Sequence, residues 1–364
     1  MGYAPREMAD DQQLEAIREA LKAADEALVD ALEARAKATA ELLAYRAREP
    51  EAYFTLPSTA EIVNAGVERA VSFPRAPLER VLREVFGACA SMLAPVRVAV
   101  VSAGGFGSVA ATRHFGSSVE LQGLGSIAEV FESVARERTT FGLVPFETSS
   151  DGAVSATING LAEGDARICS EITIGCSYDL LSRTGNGADI ENIYGTPEAL
   201  SSCAATIARD FPGVMTLDVK NAAVAQSFAR EDHGAAAVVT GWSEHDGGDL
   251  RRARAAIEDE SGVDTRFVVI GHERPRRTGR DRTILALAVH DDPGSLHLAL
   301  QPFAKSGINL TRIESRPARG RSWRYLFIVE LDGHMTDRPV LTTVEEVRSA
   351  SRHLKVLGSF PRPA

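Results

Sequence analysis

Apolar residues of the first fifty positions fall at multiples of helical spacing, with Leu14, Ile17, Leu21, Leu28 and Leu32 on one stripe. No Gly or Pro interrupts the chain from Asp10 to Arg48, so the pattern predicts one long helix there. A helix with a single apolar stripe needs partner helices. Pro50, Pro57, Pro74 and Pro77 break up the next stretch, and a second amphipathic helix is expected over Leu78–Met92, ended by Pro95. From residue 96 the period changes. Short β-rich runs are predicted as strands over Val98–Val101, Phe141–Pro145, Ile168–Ile174, Val214–Asp218, Ala236–Thr240 and Phe267–Ile270. Helical patterns lie between them, as in Ser126–Arg136 and Pro197–Asp210. This alternation predicts an α/β unit with a mainly parallel sheet. Charged Glu273–Arg282 reads as a linker. Beyond it lies a small α+β unit: strand Thr283–His290, turn Pro293-Gly294, helix Leu296–Lys305, strands Ile308–Glu314 and Trp323–Leu331, helix Val344–His353 and strand Leu354–Ser359. The expected division is a helical unit over 1–95, an α/β unit over 96–275 and an α+β unit over 276–364.

The length of 364 residues fits two or three such domains. With 44% apolar and 25% charged residues, the chain is neither disordered nor a disulfide miniprotein. A formal net charge of −10 argues against a nucleic-acid or anionic-membrane binder, so anionic ligands would need local Arg clusters. Cys89, Cys169, Cys176 and Cys203 are scattered, with no zinc spacing, and read as reduced thiols. No apolar stretch is long enough for a membrane span and no apolar leader is present, which makes a cytoplasmic location the expectation.

Three places carry candidate chemistry. Arg18, Arg35 and Arg46 lie on the first helix. Arg35 and Arg46, about three turns apart, share a face and could clamp a small dicarboxylate, although a solvated charged face is the commoner meaning. Glu147-Thr148-Ser149-Ser150-Asp151-Gly152 follows an apolar strand and offers hydroxyls to an oxyanion; a capped helix start is the plainer alternative. Ser102–Ser108, with Gly104, Gly105 and Gly107, lacks dinucleotide spacing and a Walker lysine, so close backbone approach to a small anion fits better than nucleotide binding. The eight His residues form no metal motif, and neither a metal nor a cofactor is expected.

Three segments together resemble one family. Asp264-Thr265-Arg266-Phe267, followed by apolar Val268–Ile270, is similar to the TRF motif of prephenate dehydratases. Val144–Val154 resembles that family's VP-x-ENS-x-x-G-x-V loop. Gly307-Ile308-Asn309-Leu310-Thr311-Arg312-Ile313-Glu314-Ser315-Arg316-Pro317 closely resembles the phenylalanine-sensing ACT domain. The N-terminal helices are similar to an all-helical chorismate mutase. The whole resembles a bifunctional chorismate mutase–prephenate dehydratase.

The resemblance implies a helical mutase unit, a two-lobed α/β dehydratase unit of periplasmic-binding-protein type, and a ferredoxin-like ACT unit. It implies conversion of prephenate to phenylpyruvate by loss of carbon dioxide and the ring hydroxyl, possible rearrangement of chorismate, and an aromatic amino-acid effector. The implied catalytic residues are Thr265 and Thr148, and the implied substrate contacts are Arg266, Phe267, Ser149, Ser150, Gly105 and Ser108. The implied mutase pocket is Arg18, Arg35, Arg46 and Glu61. The implied effector residues are Gly294, Ser295, Leu296, Asn309, Leu310, Glu314 and Ser315. A homodimer or larger homo-oligomer is expected, with no nucleic acid or membrane partner. The chain also departs from the pattern: Thr148 replaces an asparagine, Cys176-Ser177-Tyr178 replaces a histidine-containing stretch, and Gly195-Thr196-Pro197 replaces SHP. A non-aromatising prephenate decarboxylase and a non-catalytic ACT-containing regulatory protein therefore stand as alternative readings.

Overall fold

The structure is a computed structural model that describes the backbone of residues 4–48, 59–93, 95–102, 104–241, 248–317 and 325–363. The N-terminal helices are α1 (Ala4–Arg48), α2 (Thr59–Arg69) and α3 (Arg75–Leu93). The long first helix forms as its lack of Gly and Pro predicts. The helix expected over Leu78–Met92 is α3, and α2 is an addition to the sequence reading. Much of the α1 stripe stays uncovered: Leu14, Ile17, Leu21, Leu28, Val29 and Leu32 are all exposed.

The α/β part begins with β1 (Arg97–Val101), α4 (Phe106–Phe115), β2 (Glu120–Leu124), α5 (Ile127–Ala135), β3 (Phe141–Thr148), β4 (Gly152–Ala153), α6 (Ser155–Glu163) and β5 (Arg167–Gly175). The chain then crosses into a second lobe: β6 (Tyr178–Ser182), β7 (Asn192–Gly195), α7 (Pro197–Ser202), α8 (Ala204–Asp210), β8 (Met215–Asp218), α9 (Ala222–Glu231), β9 (Ala235–Thr240) and β10 (Arg251–Arg254). It returns through β11 (Asp264–Gly271). The C-terminal part is β12 (Asp281–Ala288), α10 (Ser295–Lys305), β13 (Leu310–Pro317), β14 (Tyr325–Asp332), α11 (Arg338–Ala350) and β15 (His353–Pro361).

Among the described residues there are two sheets. The second lobe holds five strands in the order β10-β6-β9-β7-β8. The other sheet has ten strands in the order β13-β14-β12-β15-β5-β11-β3-β1-β2, with β4 attached to β3. Both sheets are mixed, which corrects the mainly parallel expectation. β1 pairs in parallel with β2 and β3, but the returning β11 runs antiparallel to both β3 and β5. A strand that comes back from a second lobe enters the first sheet from the opposite end, and no local period encodes that.

The large sheet also crosses the expected domain boundary. β15 joins β5 through the pair Gly358 and Ile168. The expected linker Glu273–Arg282 is structured at its end: Asp281 is buried, starts β12, and accepts hydrogen bonds from the backbone of Thr278 and Gly279. The sheet is strongly curled, since residues of β13 at one end of the strand order touch β3 near the other. Its hollow is filled by Phe146, Ile158, Leu161, Ile168, Ile284, Ile328 and Phe360. The C-terminal unit has a second core, with Phe303, Val329, Leu331 and Val344 under α10 and α11.

Candidate active site

β1 and β3 are parallel neighbours, so the loops leaving their C-terminal ends lie along one edge of the sheet, where α/β sheets place ligands. The loop after β1 includes Ser102, Gly104 and Gly105. Ser102 has φ +55 and Gly104 φ +82, a left-handed turn that a side chain at position 104 would strain and would press against Ala222 of the second lobe. Ser108 Oγ accepts from the Gly104 N–H at 3.0 Å, and Gly105 caps α4. Gly104 O accepts from Thr240 Oγ1 of the second lobe at 3.4 Å, and Phe106 packs edge-on against Tyr178 with ring centroids 5.0 Å apart. Gly105 and the first turn of α4, which carries Ser108, therefore lie between the lobes.

The loop after β3 is built on hydroxyls. Thr148 Oγ1 accepts from the Asp151 N–H at 2.9 Å. Ser149 Oγ accepts from the Asp264 N–H at 3.0 Å, which ties the loop to the start of β11. Ser150 Oγ donates to Asp151 Oδ2 at 3.0 Å. Thr148 and Thr265 face each other as a cross-strand pair of β3 and β11. Thr265 is buried, and its hydroxyl lies 3.0 Å from Cys176 Sγ. Cys176 sits in the segment that leads from β5 into the second lobe. Burial pushes its thiol above the ordinary range and the bond to Thr265 only partly offsets this, so the group is protonated at neutral pH. That contact was not anticipated from the sequence, although Cys176 lies in one of the stretches that depart from the family pattern.

Two expected substrate contacts are placed elsewhere. Side chains alternate along a strand, so Arg266 points to the face opposite Thr265. Its guanidinium meets Glu171 at 2.8 Å, Glu330 at 3.0 Å and Glu147 at 3.4 Å, and stacks over Phe146 at 4.9 Å. Burial disfavours its charge, but these carboxylates outweigh burial and raise its pKa. Phe267 is buried in the core with Val98, Leu143 and Val269. Neither side chain is presented to the cleft.

The candidate effector residues fall into two groups. Gly294, at φ +86, precedes α10, with Ser295 and Leu296 in its first turn. Asn309 and Leu310 follow the other end of that helix, ~16 Å away for eleven residues at 1.5 Å each. Asn309 donates to Asp332 at 3.0 Å. On β13 the residues alternate: Ser315 is exposed, while Glu314 faces inward and is held by Arg312 at 2.6 Å.

The candidate mutase residues are less assembled. Arg18 is exposed and pairs with Glu15 at 3.3 Å. Arg35 bonds Thr39 and lies over the Phe86 ring of α3 at 5.5 Å. The side chains of Arg46 and Glu61 lie outside the described residues. Seventeen residues on one helix separate Arg18 from Arg35 by ~26 Å, so the two cannot hold one small ligand from a single chain. Arg35 and Arg46 lie ~16 Å apart along the same face by the same arithmetic, a gap that two long guanidinium side chains reaching toward each other can narrow to the size of a small dicarboxylate.

Comparison with known proteins shows which family has this arrangement. The prephenate dehydratase profile matches residues 102–275, and the ACT domain profile matches residues 283–349. A bifunctional chorismate mutase/prephenate dehydratase of Aquifex aeolicus is 35% identical over 80% of this chain and 80% of its own length. The one from Stutzerimonas stutzeri is 31% identical over 98% of this chain and 99% of its own. The chain belongs to the bifunctional chorismate mutase/prephenate dehydratase family. Among solved structures, the prephenate dehydratase from Arthrobacter aurescens in complex with L-Phe is similar, with a TM-score of 0.62 and 27% identity over 74% of this chain and 92% of that one. Membership bears out the family and the fold expected from the sequence motifs: helices, a two-lobed α/β unit and an ACT unit. No helix among the described residues is long and apolar enough to cross a membrane.

Proposed function

We propose that this chain converts prephenate to phenylpyruvate in the cleft between its α/β lobes, under control of an aromatic amino acid bound by the ACT unit. The observation that carries the site is the Thr148–Thr265 pair at the end of β3 and β11, between the hydroxyl-rich loop and the interlobe segment. Loss of carbon dioxide sends an electron pair into the ring, and expulsion of the ring hydroxyl takes it up. Hydroxide leaves poorly, so a proton or strong hydrogen bond must reach it in the transition state. Thr265 is the donor in this reading. A thiol hydrogen from Cys176 to Thr265 Oγ1 would leave the Thr265 hydrogen free to point at the departing oxygen, and Thr148 supports the same edge. The backbone of Gly105 and the hydroxyls of Ser108, Ser149 and Ser150 line the approach for the carboxylates. The units are read as 1–95, 96–275 and 276–364, with the last two fused through one sheet.

The uncovered stripe of α1 supports a homodimer in which a second copy lies along that helix. It would also bring Arg18 of one copy toward Arg35 of the other, which a chorismate site on these residues requires. Likewise, a second copy would bring an Asn309–Leu310 edge to the Gly294–Leu296 turn, so that one effector touches both groups.

Incubation of the purified protein with prephenate, followed by ultraviolet absorbance and NMR, tests the reading. Phenylpyruvate is expected. A non-aromatic keto acid would replace it with the decarboxylase reading, and unchanged prephenate would leave only the regulatory one.

A further inference from the structure

Four charged side chains close a ring behind the threonine pair. Adjacent to Thr148–Thr265 on the same two strands is the cross-strand pair Glu147–Arg266, facing the other way. On the ACT strands, Arg312 of β13 and Glu330 of β14 also form a cross-strand pair. The two pairs meet face to face. Arg266 Nη1 lies 3.4 Å from Glu147 Oε2 and 3.0 Å from Glu330 Oε1, while Arg312 Nη1 lies 3.6 Å from Glu330 Oε1 and also contacts Glu147 Oε2. Positive and negative groups alternate around the ring. Glu330 is almost fully covered, with 2% of its side chain exposed, so its charge depends on these arginines and on Arg282. Glu171 anchors the ring from β5 by binding Arg266 and Arg282, the latter at 2.6 Å. Arg312 has a second carboxylate available, Glu314 on its own strand.

We propose that the ring Glu147–Arg266–Glu330–Arg312 is the coupling element between the effector unit and the dehydratase site, and that Arg266 acts as a positioning residue for Thr265. This rests on the dehydratase and effector readings above. Glu147 precedes Thr148 and Arg266 follows Thr265, so both threonines are held from behind by the same four charges. Arg312 divides its guanidinium between Glu147 and Glu314. A shift of β13 on effector binding changes that division, and Glu147 and Arg266 then move with the threonines they adjoin. Two alternative carboxylate partners for one guanidinium provide the discrete states that transmission between sites requires.

The test uses the full chain and phenylalanine as probe, with two independent readouts. Hydrogen exchange is measured with and without phenylalanine, and prephenate turnover is measured in parallel. In the wild type, phenylalanine alters exchange over residues 294–315 and also over 141–153 and 263–268. In Arg312→Gln the first change persists and the second disappears. Inhibition by phenylalanine weakens at least about tenfold while its Kd moves less than about threefold, since coupling factors of this kind run from about 5 to 150. Should Arg312→Gln fail to fold, Arg312→Lys keeps the charge but cannot span two carboxylates, and the same loss is expected. Arg266→Lys lowers kcat and leaves KM within about twofold, whereas a substrate contact would raise KM. Full transmission in both Arg312 variants, or an exchange change confined to the ACT unit in the wild type, overturns the ring. Exchange transmission that depends on Arg312 supports it even if prephenate is untouched, an outcome that would overturn the dehydratase reading alone.

Discussion

Because strand side chains alternate, Thr265 and its neighbour Arg266 serve opposite faces of β11, and the two residues should fail in different ways. Among the described residues the Thr265 side chain has one polar contact, the Cys176 thiol at 3.0 Å, and no charged group competes for its hydroxyl. Thr265→Ala is expected to lower turnover of prephenate by roughly 10²-fold or more, the scale for a positioned donor. Thr265→Ser should recover most of the loss in the same assay, because it restores the hydroxyl. A residual activity in Thr265→Ala near that of the wild type would remove the threonine from the chemistry. Gly294 offers a second residue-scale test. Its φ of +86 lies where a Cβ is strained, although open space surrounds it. Gly294→Ala should therefore cost about 1–2 kcal/mol through the backbone alone, read as weaker phenylalanine binding or a lower Tm.

At the scale of elements, the two α/β strands that flank the site were visible as apolar runs, and the TRF and hydroxyl loops were visible as motifs. The edge strands β2 and β10 were not, because ELQGL is short, exposed over four of its five residues and interrupted by Gly123, while RRAR carries arginine on both faces. The ring of charges was hidden for a different reason. Arg312 and Glu147 are 165 residues apart, and only the curl of the sheet joins them. A signal did exist: Glu330 interrupts the apolar run Tyr325–Leu331 and Glu171 stands among Ile168, Cys169, Ile172 and Ile174, and a charge at such a place must find a partner. The seam between the dehydratase and ACT units is similarly specific. A Cβ at Gly358 would lie 2.5 Å from Ile168 O and 3.0 Å from its Cα, both backbone atoms that cannot step aside. Gly358→Ala should destabilise the protein by about 1–3 kcal/mol or more and loosen the β15–β5 junction, measured as lower Tm and faster exchange of the β5 amides. A fourth test concerns the contact of α3 with α4. His114 lines the crevice between them with Phe86 and Phe115, and burial, assisted by Arg83, pushes it from 6.5 down to about 3. The folded state keeps it neutral while the unfolded chain takes up a proton below pH 6.5. Its contribution is thus full above 6.5 and is lost as pH falls toward 3. The Tm of the wild type should drop more between pH 7 and pH 5 than that of His114→Gln; equal slopes would remove His114 as a source.

For the whole molecule the decisive feature is α1. A helix of 45 residues makes its tertiary contacts chiefly with α3, and its stripe repeats at heptad-like spacing through Leu14, Ile17, Leu21, Leu28 and Leu32. Leu21 is 62% and Leu28 58% exposed, which a single chain does not explain. An apolar seam of that length fits the homodimer proposed above, an isologous helical pairing in which each copy would cover the other's stripe. The same pairing is what a chorismate site on Arg18 and Arg35 demands, given the ~26 Å between them on one helix. Two lysines in the seam place unpaired charges against apolar neighbours, a cost of several kcal/mol that the dimer cannot absorb. The wild type is therefore expected to sediment at twice the chain mass and to consume chorismate. The double variant Leu21→Lys, Leu28→Lys should sediment as a monomer and lose chorismate consumption, while its α/β lobes keep converting prephenate. A double variant that stays dimeric would mean that the chains associate elsewhere. A monomer that still consumes chorismate would show that Arg18 of a second copy has no part in the mutase site.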